Sequence, residues 1–356
     1  MAHKFPYKWH LLDGYPAQKI EYHGKTVFGT FICGGGSTMG YKLAGFKHLG
    51  GVEIDPEVAD VYKTNHNPAH LFVEDIRLFN QREDLPQDLY QLDLLDGSPP
   101  CSTFSMAGSR EKAWGKEKKF REGQAEQTLD DLVFEYCNTI LKLRPNVFLL
   151  ENVKGIIHGN AKAYSKEIVK KMTLGGYIVQ VFCLNAASMG VPQKRERVFF
   201  IGHKKEIPLP KLVLSFNEKP IFFGQLKQKN CVSPECFAFP ESERLRIALV
   251  VKGDRNLVNA DKKIRGNDKN AFFNQTIVYD DQVMGTITGQ EKSFVFDEKR
   301  RLSNVECSLC GSYPLDYNFK NIDPKYLIGM SVPPVMTAQI AHQIYLQWQV
   351  KSRKIP

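Results

Sequence analysis

The feature that most constrains the fold is an alternation that runs through the first two thirds of the chain. Short runs rich in Val, Ile, Leu and Phe stand at 27–32, 51–54, 92–95, 147–150, 177–184 and 198–201. Gly, Pro or Asn bounds them, as expected for strands of a sheet covered on both faces. Between them lie stretches of helical period. In the clearest, Leu129, Leu132, Val133, Tyr136, Ile140 and Leu141 recur every three or four residues, and Pro145 follows as a stop. A second, 163–174, runs into Gly175 and Gly176, a C-cap signal. Strand and helix in turn predict an α/β fold with a mainly parallel sheet.

The rhythm stops after Ile207. To about Glu298 the chain is studded with Pro, Asn and Lys and keeps no steady period. This predicts a smaller inserted domain at 205–299. A last helical pattern, Met336, Ile340 and Ile344 with Tyr345 and Trp348 alongside, is apolar enough to need a core. The core it needs is that of the α/β domain, so that domain is expected to be discontinuous, 1–204 plus 300–356. The 356 residues suffice for two domains at ~150 residues each.

Composition excludes several classes. With 42% hydrophobic and 24% charged residues, the chain is neither disordered nor fibrous. No stretch reaches the ~18 apolar residues of a membrane span, and the N-terminus lacks the apolar core of a secretory signal. The eight cysteines are scattered, as for reduced thiols in a cytoplasm. Cys231, Cys236, Cys307 and Cys310 are read as core thiols, and no metal site is expected. The net charge of +9 suits a polyanionic partner such as nucleic acid.

Five local patterns bear on chemistry. TFICGGGSTMG follows the first strand and opens a helix, where glycines let backbone N–H groups approach a ligand. It lacks the third glycine of the dinucleotide fingerprint, and Glu53 ends the next strand where a ribose acceptor belongs. The same glycines could serve tight packing alone. LDLLDGSPPC puts Cys101 past a strand end behind two stiff prolines, the setting of a positioned nucleophile or of an inert buried thiol. VFLLENV ends an apolar strand on Glu151, a candidate general acid or a structural ion-pair partner. Gln193, Arg195 and Arg197 alternate into a further strand, so one face would carry two guanidiniums that need anions. The stretch 109–122 carries six basic and three acidic residues with glycines around it, and reads as a hinged lid or a solvated loop.

In this order and spacing, the glycine loop, Glu53, Asp75-Ile76, Pro-Pro-Cys, Glu-Asn-Val, Gln-x-Arg-x-Arg and a late IGMSVPP resemble the DNA (cytosine-5) methyltransferases of bacterial restriction–modification systems. The resemblance covers about 27–204 and 300–346. It implies a Rossmann-like S-adenosylmethionine-dependent methyltransferase domain with a smaller inserted target-recognition domain. Phe31, Gly35, Gly36, Glu53, Ile54, Asp75, Ile76, Ser98, Pro99 and Ser331 would bind S-adenosylmethionine, with Glu53 on the ribose and Asp75 on the adenine amino group. Pro100 and Cys101 would form the nucleophile pair, and Glu151 and Asn152 would bind the cytosine. Gln193, Arg195 and Arg197 would complete the catalytic set, with Arg195 holding the base or orienting Glu151. The stretch 105–124 would be the lid over a flipped base. Cys33 stands where the family has its first glycine, and Met330 where it has Asn before the serine.

The activity so implied is methyl transfer to cytosine C5 in a specific duplex DNA sequence. The expected enzyme is a cytoplasmic monomer of bacterial or phage origin, working beside a restriction endonuclease that acts on the same site. A tRNA cytosine-5 methyltransferase and a non-catalytic DNA-binding relative are the competing readings. The first is disfavoured by the absence of that branch's Cys-Phe-Thr element, the second by the presence of Cys101 and Glu151. The recognised bases are expected to be read by 205–299, whose most basic part is 252–269 and which carries a late TITG element.

Overall fold

The computed structural model describes residues 4–15, 22–100, 131–229, 231, 233–266 and 272–349, with the backbone of 117–118 and 127–128. Cys101 lies outside them, as do the side chains of the expected lid. The chain divides into two compact units. The larger holds 15–185, 196–216 and 334–356; the smaller holds 1–14, 186–195 and 217–333.

The larger unit is built on seven strands: β1 (Thr26–Thr30), β2 (Lys47–Glu53), β3 (His70–Val73), β4 (Leu94–Gly97), β5 (Val147–Val153), β6 (Tyr177–Asn185) and β7 (Glu196–Lys204). Their order in the sheet is β3-β2-β1-β4-β5-β7-β6. Neighbours from β3 to β5 pair parallel; β7 runs antiparallel to both β5 and β6. The mainly parallel α/β sheet expected from the sequence is therefore present. Helices α1 (Gly36–Leu43), α2 (Pro56–His66), α3 (Ile76–Gln81), α4 (Leu132–Leu143) and α5 (Lys162–Leu174) accompany it. The continuous apolar strands follow from burial on both faces, and β5 is buried from Val147 to Asn152.

Local chemistry sets the helix ends. Asp55 caps α2 by accepting the N–H groups of Glu57 and Val58, and Pro56 stands at the first position, where no donor is lost. Helix α4 begins three residues later than its apolar period and ends at Arg144, whose φ is +51°, directly before Pro145. Helix α5 stops at Gly175, as the double glycine predicts. The final helix, Pro334–Ile344, belongs to the larger unit, which takes in three separate segments of the chain.

The smaller unit differs in extent from the expected insert. Besides 217–299 it takes in 300–333, the turn 186–195 and the N-terminal residues. Trp9 explains the last of these. It is buried, donates its indole N–H to the Ser312 carbonyl at 3.0 Å, and is followed by Leu11 and Leu12, whose N–H groups go to the Asp316 carboxylate. Nothing in the local period of 4–14 announces a partner three hundred residues away. A small core of Phe239, Ile247, Val250, Leu257, Ile277 and Phe294 packs beside a three-stranded sheet of two-residue strands. Buried ion pairs support it, Arg246 with Asp261 and Arg300 with Glu306, the latter at 2.7 Å.

Candidate active site

Ligands in open α/β sheets sit beyond the carboxyl ends of the strands. In the larger unit that edge gathers the turn after β1, Glu53 at the end of β2, Asp75 just past β3, Ser98-Pro99-Pro100 past β4 and Glu151 near the end of β5.

The turn after β1 is conformationally unusual. Phe31 and Cys33 hold φ of +55° and +47°, and Gly35 holds +77° as the N-cap of α1. Left-handed backbone at two non-glycine residues stores strain of about 1–3 kcal/mol each, and such strain clusters at ligand sites. Cys33 thus occupies a conformation that glycine adopts freely, at the position where the resembling family has glycine. No side chain caps α1, so its first-turn N–H groups remain suited to a polar ligand group. A side chain at Gly35 would be strained by its positive φ, and its Cβ would fall on the imidazole of His66.

Glu53 is half-buried. Its carboxylate accepts the N–H groups of Cys33 at 2.9 Å, Ile54 at 2.9 Å and Asp55 at 3.0 Å. Burial nevertheless pushes its pKa above the usual carboxylate value. Three donors leave roughly one of about four lone-pair positions for a ligand hydroxyl. Asp75 caps α3 by accepting the Arg77 N–H at 2.8 Å and is paired with the Arg77 guanidinium at 3.0 Å. The carboxylate expected to meet an adenine amino group therefore also has a structural task. Phe31 packs against the main core, Ile76 and Pro99 are buried, and Ile54, Ser98 and Pro100 are half-buried.

On β5 the chemistry follows from register. Val153 stands opposite Arg197 and Glu151 opposite Phe199, so Glu151 and Arg197 are diagonal neighbours on one face of the sheet. The Arg197 Nε lies 2.9 Å from a Glu151 carboxylate oxygen, with the two side chains 13% and 10% exposed. The guanidinium on Glu151 is thus that of Arg197, while Arg195, expected to hold the base or to orient Glu151, donates to the Ile287 carbonyl. The next residue, Asn152, is buried, donates to the Pro99 carbonyl at 3.4 Å and accepts the Val153 N–H at 2.9 Å. It ties the Glu-bearing strand end to the proline turn.

Gln193 and Arg195 do not share a strand face with Arg197, because β7 begins only at Glu196. Both are buried in the smaller unit. Gln193 donates to the Cys310 carbonyl at 3.2 Å and accepts the Ile287 N–H at 3.1 Å. Arg195 donates to the carbonyls of Ile287 at 2.9 Å and Gly329 at 3.1 Å. These two side chains bind the TITG element to the segment before Ser331. The packing there is close: a Cβ on Gly329 would fall on the Thr288 backbone. Ser331 is buried and accepts from the Tyr313 hydroxyl at 2.6 Å.

A buried acid lies just past the strand expected at 92–95, where local pattern does not announce it. Asp96 in β4 is 2% exposed and accepts the Tyr41 hydroxyl at 3.0 Å. Burial pushes its pKa up to about 7, and the charge of Glu151 adds to the rise. An unfolded Asp titrates near ~3.9. Between the two values the folded chain holds the extra proton, so stability falls as pH rises from about 4 to 7 and does not recover above. Denaturant titrations across that range should show the decline, and Asp96→Asn should flatten it. An unchanged slope in the variant would remove Asp96 as its source.

Among the described residues, no cluster of three or more His, Cys, Asp and Glu side chains could hold a metal ion, and no helix is long and apolar enough to cross a membrane.

The fold and this edge are those of a Rossmann-like α/β domain. Residues 27–346 match the model of the C-5 cytosine-specific DNA methylases, and the chain belongs to that family. It is a DNA (cytosine-5) methyltransferase. Among relatives, it is 27% identical to the Type II methyltransferase M1.HphI of Haemophilus parahaemolyticus over 333 residues, which is 90% of this chain and 86% of that protein. It is 34% identical to the Type II methyltransferase M.FnuDI of Fusobacterium nucleatum over 177 residues, half of this chain and 46% of the relative. Its fold is similar to the crystal structure of a mutant Spodoptera frugiperda DNMT2, with a TM-score of 0.64 at 16% identity, covering 90% of this chain and all of the other.

Proposed function

We propose that this enzyme methylates C5 of a cytosine within a specific duplex DNA sequence, as the modifying partner of a restriction endonuclease acting on the same site. The observation that carries the residue assignment is the placement of Glu151. It is buried at the end of β5, paired with Arg197, and joined through Asn152 to the turn that leads into Cys101.

Cytosine C5 is a poor nucleophile. Addition of the Cys101 thiolate to C6 turns the ring into an enamine that can attack an electrophile through C5. Glu151 eases the addition by giving a proton or hydrogen bond to N3. Arg197 holds the Glu151 carboxyl in place, and Asn152 and Pro100 fix the strand end and the turn. Loss of the C5 proton and expulsion of the thiol then restore the aromatic ring. S-adenosylmethionine, when bound, supplies the electrophilic methyl group. The uncapped N-terminus of α1 and the remaining acceptor capacity of Glu53 fit its polar groups, and Phe31, Gly35, Gly36, Ile54, Asp75, Ile76, Ser98, Pro99 and Ser331 complete the set assigned to it.

The target base must leave the helix stack for this chemistry, so the reading includes base flipping. Residues 205–299 read the flanking bases from the grooves. Gln193 and Arg195 act there as positioning residues that hold the TITG element. The enzyme works as a monomer in the cytoplasm. Membership of the C-5 cytosine-specific DNA methylases favours DNA over tRNA as substrate.

The test is transfer of labelled methyl from S-adenosylmethionine to unmethylated duplex DNA and to tRNA, with Cys101→Ala alongside. Label in DNA as 5-methylcytosine, reduced to background in the variant, is expected. Label in tRNA alone, or an active Cys101→Ala, would overturn the reading.

A further inference from the structure

Two cysteines of the smaller unit take no part in methyl transfer as proposed. Cys231 and Cys236 stand with their sulfur atoms 3.3 Å apart. They line one cavity of about 210 Å³, together with Gln228, Ser303 and Lys325. Cys231 is half-buried and Cys236 buried. We propose that Cys231 and Cys236 form an oxidisable dithiol, which hydroperoxides convert to a disulfide.

Both ends of the pair are held by the fold. Upstream, Gln228 donates its N–H to the buried Glu306 carboxylate at 2.9 Å and accepts the Ser303 hydroxyl at 2.5 Å. Downstream, Cys236 sits in the short helix Pro234–Phe237, which Pro234 starts. Proximity imposed in this way replaces a bimolecular encounter of thiols with an intramolecular one. Closing the bond requires the sulfurs to approach to about 2.05 Å, a modest shift from their present contact.

The roles follow from exposure. The thiolate of Cys231 attacks the distal peroxide oxygen and expels alkoxide or hydroxide, leaving a sulfenic acid on Cys231. The Cys236 sulfur then attacks that sulfenic sulfur; its proton and the departing hydroxyl leave as water. In sum, two thiols and one hydroperoxide give one disulfide, one alcohol (or water) and one water. An accessible thiol beside a buried resolving thiol is the arrangement such oxidation needs. Burial pushes the Cys236 thiol up to about 11, which leaves first attack to Cys231. Cys307 and Cys310 are fully buried, which pushes their thiols well above the usual value, and they are expected to stay reduced.

The experiment treats the full-length protein with hydrogen peroxide, blocks free thiols, and digests it without reduction. Trypsin releases 230–244 as one peptide holding both cysteines and no other, between Lys229 and Arg244. The expected result is loss of two hydrogens from that peptide, with neither cysteine blocked, reversed by dithiothreitol. In Cys236→Ser the sulfenic acid should persist on Cys231 and take up dimedone. Recovery of both cysteines as blocked free thiols, under exposure that oxidises the exposed Cys183, would overturn the proposal. So would a disulfide that joins either cysteine to another residue. The readout does not depend on methyl transfer, so it stands apart from the catalytic reading.

Discussion

Glu151→Gln should lower the rate of methyl transfer by about 10²–10⁴, the range for losing a positioned acid–base group. Gln keeps the shape of the side chain and removes both the charge and the titratable proton. Its amide still offers an oxygen to Arg197, so the strand end should keep its position. What fails is proton delivery to N3, without which thiol addition to C6 is slow. The fold should feel a smaller effect. The Arg197–Glu151 pair is largely buried at 2.9 Å, and removing one charge of such a pair leaves the other poorly compensated. Single-turnover transfer, with S-adenosylmethionine affinity and unfolding measured on the same sample, separates these effects. A rate within threefold of the parent would remove Glu151 from the chemical step. A large loss that tracked weakened folding would make it a structural residue.

Gly40→Ala should destabilise the larger unit by about 1–3 kcal/mol despite the better helix propensity of alanine. Gly40 lies in α1 where the final helix packs across it. A Cβ there would fall on the side chain of Thr337, the carbonyl of Pro334 and the backbone N–H of Ala338. Two of these three are backbone and cannot swing aside, so the helices must separate. The same helix carries the glycine turn at its N-terminus, and a displaced α1 should weaken S-adenosylmethionine binding as well. Denaturant unfolding and cofactor titration of the variant would check both. A variant as stable as the parent would show that the two helices can part at little cost.

Much of the fold was legible in the sequence because its signals are local. Strands buried on both faces must be continuously apolar, and β1, β5 and β6 fell within a few residues of their expected positions. Pro145 and the Gly175-Gly176 pair marked helix ends because one lacks a donor and the other tolerates the turn. The apolar stripe of the last helix required a partner, and only a large core could supply one. The third strand, His70–Val73, has too little pattern in its four residues to stand out from a loop.

The candidate site was legible in part. Its residues announced themselves through the order of motifs, and the strand ends placed the glycine turn, Glu53, Ser98-Pro99-Pro100 and Glu151 on one edge. The pairing of Glu151 with Arg197 did not announce itself. It depends on the antiparallel register of β5 and β7, which no local period encodes. Spacing suggested one face for Gln193, Arg195 and Arg197, and the late start of β7 broke that inference. Asp96 was missed because an acid at a strand end reads as exposed until its neighbours are known.

The sequence alone determined the elements and their α/β alternation, since each rests on contacts within a few residues or on burial that a stripe demands. The tertiary structure decided which guanidinium serves which partner, where the first residues of the chain attach, and what Gln193 and Arg195 hold. Those choices join groups scores or hundreds of residues apart. They are fixed by the requirement that every buried donor and acceptor find a partner, and that requirement can be met only once the whole chain is folded.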